Sequence, residues 1–419
     1  GPSLPGGRPV RGPCLTQRRY ERGDSRRKRS ADVHVRLAAD GCASQFSGSF
    51  TLAKTLMMKN TSIFFTLAMA FLAACQPTSP VEEPPAHHWP LGPFTKVDSL
   101  NPIMWPDSTL TFADPLRGET VAWEARNVLN PCAVVRDGKV YLLYRAQDEH
   151  MTSRLGLAVS DDGFYFTREP DPVFYPAADS MEVYEWPGGV EDPRLVERED
   201  GRYFLTYTAY DGRTARLCLA SSTDLHHWTK HGLVMGEEKY GDTWSKSGAI
   251  VARRDGDRFV ATRINGKYWM YFGDTDLYLA YSDDLIHWEM AENQENGKLI
   301  SVLHPRPGYF DSRLVEPGPF ALLTDAGIVL IYNASNAANY NDPAMPAFTY
   351  SAGQALFDAD NPYRLLDRTA SYFIHPDKDY ERVGEVNEVC FVEGLIHFQD
   401  RWLLYYGTAD SRIAVAVAE

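Results

Sequence analysis

The stretch "GGVEDPRLV", residues 188–196, places two carboxylates and an arginine immediately before an apolar run. Glu191, Asp192 and Arg194 therefore stand where the chain enters a core, and burying a charge is costly unless it is paired or hydrogen-bonded. Two adjacent acids with a nearby cation indicate a polar site in which Arg194 holds the geometry of the acids. The alternative is an ion pair that only caps the strand.

Polar residues stand in the same way at the start of other apolar runs. They are Asn130, Lys246, Glu316 and Glu388. Aromatic residues such as Tyr332 occur near these positions, and an aromatic ring can pack against the apolar face of a sugar. Cleavage of a glycosidic bond with inversion needs a carboxylic acid at the leaving oxygen and a carboxylate about 6.5–9.5 Å away that activates water. These residues therefore indicate a carbohydrate-cleaving site.

The elements that must position these residues form a repeat. It occurs five times, at residues 130–169, 191–230, 246–290, 315–369 and 387–419. Each unit begins with a short apolar strand, turns at a pair such as Asp200-Gly201, and continues with an alternating strand such as "YFLTYTAY". Asp-Gly between alternating runs is a strong hairpin signal. Four antiparallel strands repeated radially form propeller blades. The sequence thus predicts an all-β fold, a five-bladed β-propeller with four antiparallel strands per blade.

The fifth unit lacks an outermost strand. A ring must close without an uncovered strand edge, so we expect an N-terminal strand between Phe94 and Trp123 to close it. In such a ring the innermost strand of every blade lines the central channel. The polar residues at the starts of these strands are therefore expected to converge at one mouth of the channel.

The N-terminal region differs in composition from the rest of the chain. Residues 1–57 are rich in arginine and show no periodicity, which is typical of a mis-called start or an appended sequence. Residues 58–75 contain a short apolar run that ends in "LAAC", which predicts a lipoprotein signal peptide with Cys75 as the acylated residue. The apolar run is short for a membrane span. Residues 76–93 form a Pro-rich tether and residues 94–419 the catalytic propeller, so we expect an exported bacterial lipoprotein, periplasmic or anchored in the outer membrane.

Charge and cysteine content exclude several function classes. Beyond residue 74 the chain carries 30 Lys and Arg against 52 Asp and Glu. This negative charge repels nucleic acid, so nucleic acid is not an expected partner. The lipid anchor is the one expected contact with a membrane. Cys132, Cys218 and Cys390 lie in apolar runs, and their odd number predicts buried free thiols. No metal-ligand spacing, oxygen cage or phosphate loop is found, so neither a metal nor a cofactor is expected.

Residues from about 115 to 419 resemble glycoside hydrolase family 130, the five-bladed β-mannoside phosphorylases and β-mannosidases. The resemblance rests on the ordered motifs "NPCAVV", "GGVEDPRLV", "FDSRLVEPGP", "YERVGEVNEVCF" and "YYGTADSRIAVA". It implies a β-linked manno-oligosaccharide as substrate, with Asp192 as the general acid acting through a sugar hydroxyl. It also implies that Asn130, Arg145 and Asp410 hold the mannose at the cleaved end. The other expected substrate-binding residues are Glu191, Arg194, Lys246, Asp274 and Tyr332.

The attacking group separates two branches of this family. Phosphorylases bind phosphate with basic groups that include a His-Arg-Pro after the "GKY" strand, where this chain has Phe272, Gly273 and Asp274. After "YTAY", where phosphorylases usually have an arginine, Asp211 follows. Carboxylates repel a phosphate dianion and can activate water. We therefore expect an inverting hydrolase that releases mannose.

Glu316 is the first candidate for the base, since it stands where phosphorylases commonly have a Gly-rich stretch, and Glu388 and Asp274 follow. Lys246 is retained, so a phosphorylase that produces mannose 1-phosphate is the alternative. A non-catalytic surface glycan-binding propeller is the alternative from another class. The linkage, β-1,2 or β-1,4, stays open, and so does the oligomeric state.

Overall fold

The computed structural model describes residues 88–419, almost entirely as β-structure. The predicted signal peptide, Cys75 and most of the tether lie outside the described residues. Two single-turn helices occur in this part of the chain, α1 (Glu182–Glu185) and α2 (Asp379–Arg382). No helix within residues 88–419 is long and apolar enough to cross a membrane.

The strands form five blades. Three short strands precede them: β1 (Thr95–Lys96), β2 (Phe112–Asp114) and β3 (Glu119–Val121). The first blade holds β4 (Asn127–Arg136), β5 (Lys139–Gln147), β6 (Ser153–Ser160) and β7 (Thr167–Arg168). The second holds β8 (Gly189–Glu197), β9 (Tyr203–Tyr210), β10 (Ala215–Ser222) and β11 (Trp228–Leu233).

The later blades are more divided. The third holds β12 (Ala249–Asp255), β13 (Arg258–Ala261), β14 (Arg263–Ile264), β15 (Lys267–Phe272), β16 (Leu277–Ser282), β17 (Trp288–Met290) and β18 (Ser301–Leu303). The fourth holds β19 (Leu314–Pro317), β20 (Ala321–Thr324), β21 (Gly327–Ser335), β22 (Tyr350–Phe357) and β23 (Leu365–Arg368). The fifth holds β24 (Cys390–Phe398), β25 (Arg401–Thr408) and β26 (Arg412–Ala418).

Neighbouring strands within a blade pair antiparallel, as in the register Cys132↔Leu143 of the first blade and Leu195↔Leu205 of the second. The Asp137-Gly138 turn of the first blade has left-handed backbone at both residues, φ 53° and 71°, as tight hairpins require. The predicted five-bladed β-propeller is confirmed. The extra short strands arise because the second and outer strands of the third blade and the inner strand of the fourth are each divided into shorter segments.

The N-terminal strand β1 pairs antiparallel with β26, in the register Thr95↔Val417 and Lys96↔Ala416. The Asn101 side chain extends this contact, since it donates to the Val415 carbonyl and accepts from the Val415 amide, both at 2.9 Å. A segment from the start of the described chain therefore covers the outer edge of the fifth blade.

Apolar side chains fill the spaces between neighbouring blades, and the inner strands make short parallel contacts such as Val251↔Ala321. Cys132, Cys218 and Cys390 are buried and free, which confirms the prediction made for them. Burial raises the pKa of all three thiols, so they are chemically inert core residues.

Candidate active site

The inner strands of four blades begin with the same backbone feature. Asn130, Asp192, Ser247 and Glu388 have left-handed backbone, with φ between 46° and 60°. Such values are uncommon for residues other than glycine. At Asn130 and Asp192 the strand pairing also shifts register, which marks a β-bulge. A bulge bends the strand and redirects its side chains. The repeated feature explains how polar residues at strand starts reach a common cavity.

The cavity has a volume of about 150 Å³ and lies at the start of the inner strands. The structure brings together six of the predicted residues in its wall. They are Asn130, Arg145, Asp192, Lys246, Glu316 and Asp410.

Asp192 is the most heavily contacted carboxylate of the site. Asn130 Nδ2 donates to its Oδ1 at 2.7 Å and Arg145 Nη1 donates to the same atom at 2.9 Å. Lys246 Nζ lies 3.6 Å from Oδ2. Burial disfavours the charged form, but Arg145, Lys246 and Arg194 outweigh it and hold the pKa of Asp192 well below its usual range. Asp192 is therefore ionised in the free protein.

Glu316 has the opposite balance. Burial raises the pKa of Glu316 to about 7, although the nearby Lys246 ammonium counteracts this rise. Lys246 Nζ lies 3.7 Å from Glu316 Oε1, and the Ser247 hydroxyl donates to the same oxygen. Since the contacts of 3.6 Å and 3.7 Å meet at one nitrogen, the Asp192 and Glu316 oxygens are at most about 7.3 Å apart. This limit allows the separation that inverting glycosidases use.

Arg145 links the cavity to a second buried acid. Its Nη2 donates to Glu191 Oε1 at 2.6 Å, and its Nε donates to Ser153 Oγ at 2.9 Å. Glu191 does not line the cavity, so it contributes as the partner that orients Arg145. Burial raises the pKa of Asp410 on the cavity wall to about 6, with Arg145 opposing the rise.

Two predicted substrate-binding residues lie elsewhere. Tyr332 is fully buried in the core of the fourth blade, where its hydroxyl donates to Asp311 at 2.9 Å and accepts from Arg368. Arg194 is 2% exposed and lies beneath the cavity, where it donates to main-chain carbonyl oxygens. Neither side chain is available to a ligand, because each has its polar atoms engaged inside the protein.

Two other candidates lie outside the cavity wall. Glu388 is half-buried. Its main-chain carbonyl, rather than its side chain, accepts a hydrogen bond from the Tyr350 amide at 2.9 Å. Asp274 accepts a hydrogen bond from Trp244 Nε1 at 3.1 Å, and Trp244 is 49% exposed. The charge of Asp274 also raises the pKa of Glu316.

Several residues of the site were missed by the sequence analysis. Tyr350, Val386, Val389 and Phe391 complete the wall, and Glu393 is buried against Arg194, with a 2.8 Å contact between Oε1 and Nη2. The signal for Glu393 was available, since it is the one charge in the apolar run "CFVEGLIHF". No group of three or more His, Cys, Asp or Glu side chains in residues 88–419 is arranged to hold a metal ion.

Buried carboxylates around a cavity at the starts of the inner strands are an arrangement that can serve glycosidic bond cleavage. Residues 99–419 match the family model Glyco_hydro_130, described as β-1,4-mannooligosaccharide phosphorylase. The chain belongs to glycoside hydrolase family 130, an enzyme family that acts on mannosides.

Individual relatives include a named phosphorylase and solved structures described as glycoside hydrolases or as members of this family. A 1,2-β-oligomannan phosphorylase of Thermoanaerobacter sp. (strain X514) is 32% identical over 308 residues, which cover 71% of this chain and 91% of the relative. A solved glycosyl hydrolase from Bacteroides ovatus is 42% identical with a TM-score of 0.76, covering 78% of this chain and 94% of its own. Another solved structure is 41% identical with a TM-score of 0.77, and the match covers 79% of this chain and 94% of the solved one. It comes from work stating that the family contains glycoside hydrolases that target β-1,2 mannosidic linkages in Candida mannan.

Proposed function

We propose that this protein is an inverting glycoside hydrolase that releases mannose from β-mannosides. The observation that carries the proposal is the charge balance of the cavity. Its wall contains the acids Asp192, Glu316 and Asp410 but only two cations, Arg145 and Lys246. Both cations already contact carboxylates at 2.6–3.7 Å. A phosphate dianion would meet neutralised cations and an excess of negative charge, whereas water would meet carboxylates able to activate it.

The positions where phosphorylases are expected to carry cations support the same conclusion. Asp211 forms an ion pair with Arg216 at 2.7 Å. The guanidinium of Arg216 is therefore engaged by this acid rather than by a ligand. Phe272 is part of the apolar core, and Asp274 accepts from Trp244. None of these three residues offers a positive charge to phosphate.

Asp192 and Glu316 are the proposed acid–base pair. In the free protein Asp192 is ionised and the pair's last proton lies on Glu316, which loses it as the pH rises through about 7. Inversion needs this proton on Asp192, which passes it through a sugar hydroxyl to the leaving oxygen, and an ionised Glu316 that accepts a proton from water. Lys246 lies almost equally far from both carboxylates, so it stabilises the charge on whichever of the two is ionised.

The proposed substrate is a β-1,2-linked manno-oligosaccharide. Three curated phosphorylase relatives are named for β-1,2-linked substrates, and the 41% identical structure comes from work on β-1,2 mannosidic linkages. Trp244 stands two residues before Lys246, which lines the cavity, and its indole is 49% exposed. We place the sugar beyond the cleaved bond against this indole ring. Asp274 would accept hydrogen bonds from the hydroxyls of that sugar.

Phosphorolysis is the second candidate, because the curated relatives that cover most of this chain are phosphorylases. By the names of these relatives it is the better supported activity, and Lys246 would be the cation that meets phosphate. The proposal for hydrolysis therefore rests on the cavity of this chain rather than on those names.

Proton NMR of β-1,2-mannobiose turnover tests the proposal. In phosphate-free buffer we expect free α-mannose to form first and then to mutarotate. Turnover that starts only when phosphate is added, with mannose 1-phosphate as product, would replace hydrolysis by phosphorolysis.

An exported lipoprotein anchored at Cys75 is the proposed localisation. It is supported by the sequence pattern of residues 58–75. Radiolabelled palmitate should enter the full chain but not its Cys75→Ser variant, and equal labelling of both would reject the anchor.

A further inference from the structure

Arg194 connects the main chains that carry the two proposed catalytic carboxylates. Its Nη1 donates to the carbonyl of Asp192 at 3.1 Å in the second blade. Its Nη2 and Nε donate to the carbonyls of Pro317 and Gly318, at 2.6 Å and 2.7 Å, in the fourth blade. These carbonyls belong to the two residues that follow Glu316. The second and fourth blades are not neighbours in the ring, so this guanidinium is a direct tie across the channel.

Glu393 of the fifth blade lies against this guanidinium. Its Oε1 lies 2.8 Å from Arg194 Nη2, and the side chains are 0% and 2% exposed. Val392 pairs with Tyr406 and Gly394 with Tyr405, so Glu393 is the extra residue of a β-bulge in β24. A bulge turns a side chain out of the regular alternation, here toward the channel axis. Asn333 of the fourth blade also fixes this bulge, through two hydrogen bonds with the Val392 main chain at 2.7 Å and 2.9 Å.

Burying an acid beside a guanidinium is costly, and burial raises the pKa of Glu393 well above its usual range even though Arg194 counteracts the rise. The desolvation of a buried ion pair can cancel its attraction, and apolar residues of similar volume often stabilise a protein as well or better. A planar guanidinium, in contrast, offers several donors in a fixed geometry, which suits it to hold separate carbonyl groups at set distances. The contacts of Arg194 match that use, because every one of its three nitrogens donates to main chain beside a proposed catalytic residue.

We infer that Arg194 and Glu393 are positioning residues that fix the separation between Asp192 and Glu316. This inference rests on the proposed function, in which these two carboxylates are the acid and the base. Neither member of the pair touches the cavity, so both act through the backbones that Arg194 ties together.

Glu393→Gln tests the inference, with Glu185→Gln as the matched control. Glu185 is equally buried and pairs with Lys230 at 2.5 Å and with Tyr207 at 2.9 Å, away from the cavity. On β-mannobiose we expect Glu393→Gln to lower kcat by about 10- to 100-fold with KM within about twofold, because a misplaced reacting group affects the chemical step. Glu185→Gln should lower the thermal midpoint and leave kcat within about twofold.

Wild-type kcat in a folded Glu393→Gln variant would overturn the inference, and so would an equal loss of kcat in both variants. If Glu393→Gln does not fold, Arg194→Lys serves in its place, since an ammonium cannot hold all three carbonyls. Crystal structures of the wild type and the variant give a second readout that does not depend on which reaction the protein catalyses. We expect the Asp192 and Glu316 carboxylates to shift relative to each other by more than about 0.5 Å, and unchanged positions would also overturn the inference.

Discussion

At the residue scale, one ammonium governs the chemistry of the cavity. Lys246 lies between Asp192 and Glu316, and their carboxylates raise its pKa well above the usual range despite burial, so it stays charged. Burial alone would keep both acids protonated. The cations instead ionise Asp192 and leave Glu316 with a pKa of about 7. The pair therefore exchanges its last proton near neutral pH.

The pH dependence of kcat/KM follows from this balance. The pair needs one proton for catalysis, and it loses that proton as the pH rises through about 7. We expect kcat/KM to fall on the alkaline side with an apparent pKa near 7. On the acid side we expect kcat/KM to stay constant until the pH is well below the pKa of an ordinary aspartate. Initial rates over a pH series measure this, and a flat profile up to about pH 9 would contradict the assignment.

Variants at Asp192 and at Glu316 should differ in how their activity depends on the leaving group of the substrate. An aryl β-mannoside with an acidic phenol needs little protonation, so Asp192→Asn should retain much more activity on it than on mannobiose. Glu316→Gln should lose activity on both substrates by about 100-fold or more, because water activation is needed in either case. Steady-state rates of the two variants on the two substrates decide this. The opposite pattern would exchange the roles of Asp192 and Glu316.

At the element scale, the inner strands position the site through bulges and close approaches. Gly189 opens β8 with φ 108° and lies beside β6, where an added Cβ would be 2.2 Å from the Ser153 carbonyl oxygen. Ser153 in turn donates to Glu191 and accepts from Arg145. The first and second blades thus approach closely where the partners of Asp192 are held.

Gly189→Ala should therefore cost stability and activity together. We expect a loss of about 2 kcal/mol from overpacking and strain, with a lower kcat as the Arg145 network moves. Gly201→Ala is the control, since its φ is 81° and nothing lies within 4 Å of an added Cβ. It should cost about 1 kcal/mol with unchanged kcat. Urea unfolding and steady-state kinetics measure both, and equal effects on kcat would refute the role of this contact.

The sequence predicted the blades but not every side-chain direction. Turn pairs and alternation identified the five units, and polar residues at strand starts marked Asn130, Asp192 and Glu316. Glu393 stood out as a charge in an apolar run, but it lies at a bulge, which changes the face that a residue occupies, so alternation could not direct it toward Arg194. Tyr332 was assigned to the site as a nearby aromatic residue, whereas its ring packs in the core of the fourth blade. Tyr350 was missed since it follows an irregular loop whose path no periodicity describes.

At the scale of the whole molecule, an ion pair joins the start of the described chain to the last blade. Lys96 on β1 contacts Glu381 Oε2 and the His375 carbonyl, both at 2.7 Å, and Glu381 is fully buried. The opposite oxygen of Glu381 accepts from the Tyr406 hydroxyl at 2.9 Å. The N-terminal segment therefore neutralises a buried charge on α2, which contacts the fifth blade through Tyr406, as well as covering the edge of that blade.

Lys96→Met should destabilise the propeller by about 3 kcal/mol, because it leaves the buried Glu381 without its cation. Lys139→Met removes a lysine that pairs with Asp161 at the surface, where both side chains are largely exposed, and should change little. Thermal unfolding of both variants at neutral pH provides the comparison. A loss of stability that is the same for both would show that the N-terminal contact is dispensable.

The partition of one substrate between water and phosphate tests the central claim most directly. Purified protein is incubated with β-1,2-mannobiose in phosphate buffer, and free mannose and mannose 1-phosphate are quantified by mass spectrometry. The charge balance of the cavity predicts free mannose alone, with a rate that does not depend on phosphate. Mannose 1-phosphate as the main product, formed in proportion to phosphate, would show that Lys246 and Arg145 bind the anion and would contradict the assignment as a hydrolase.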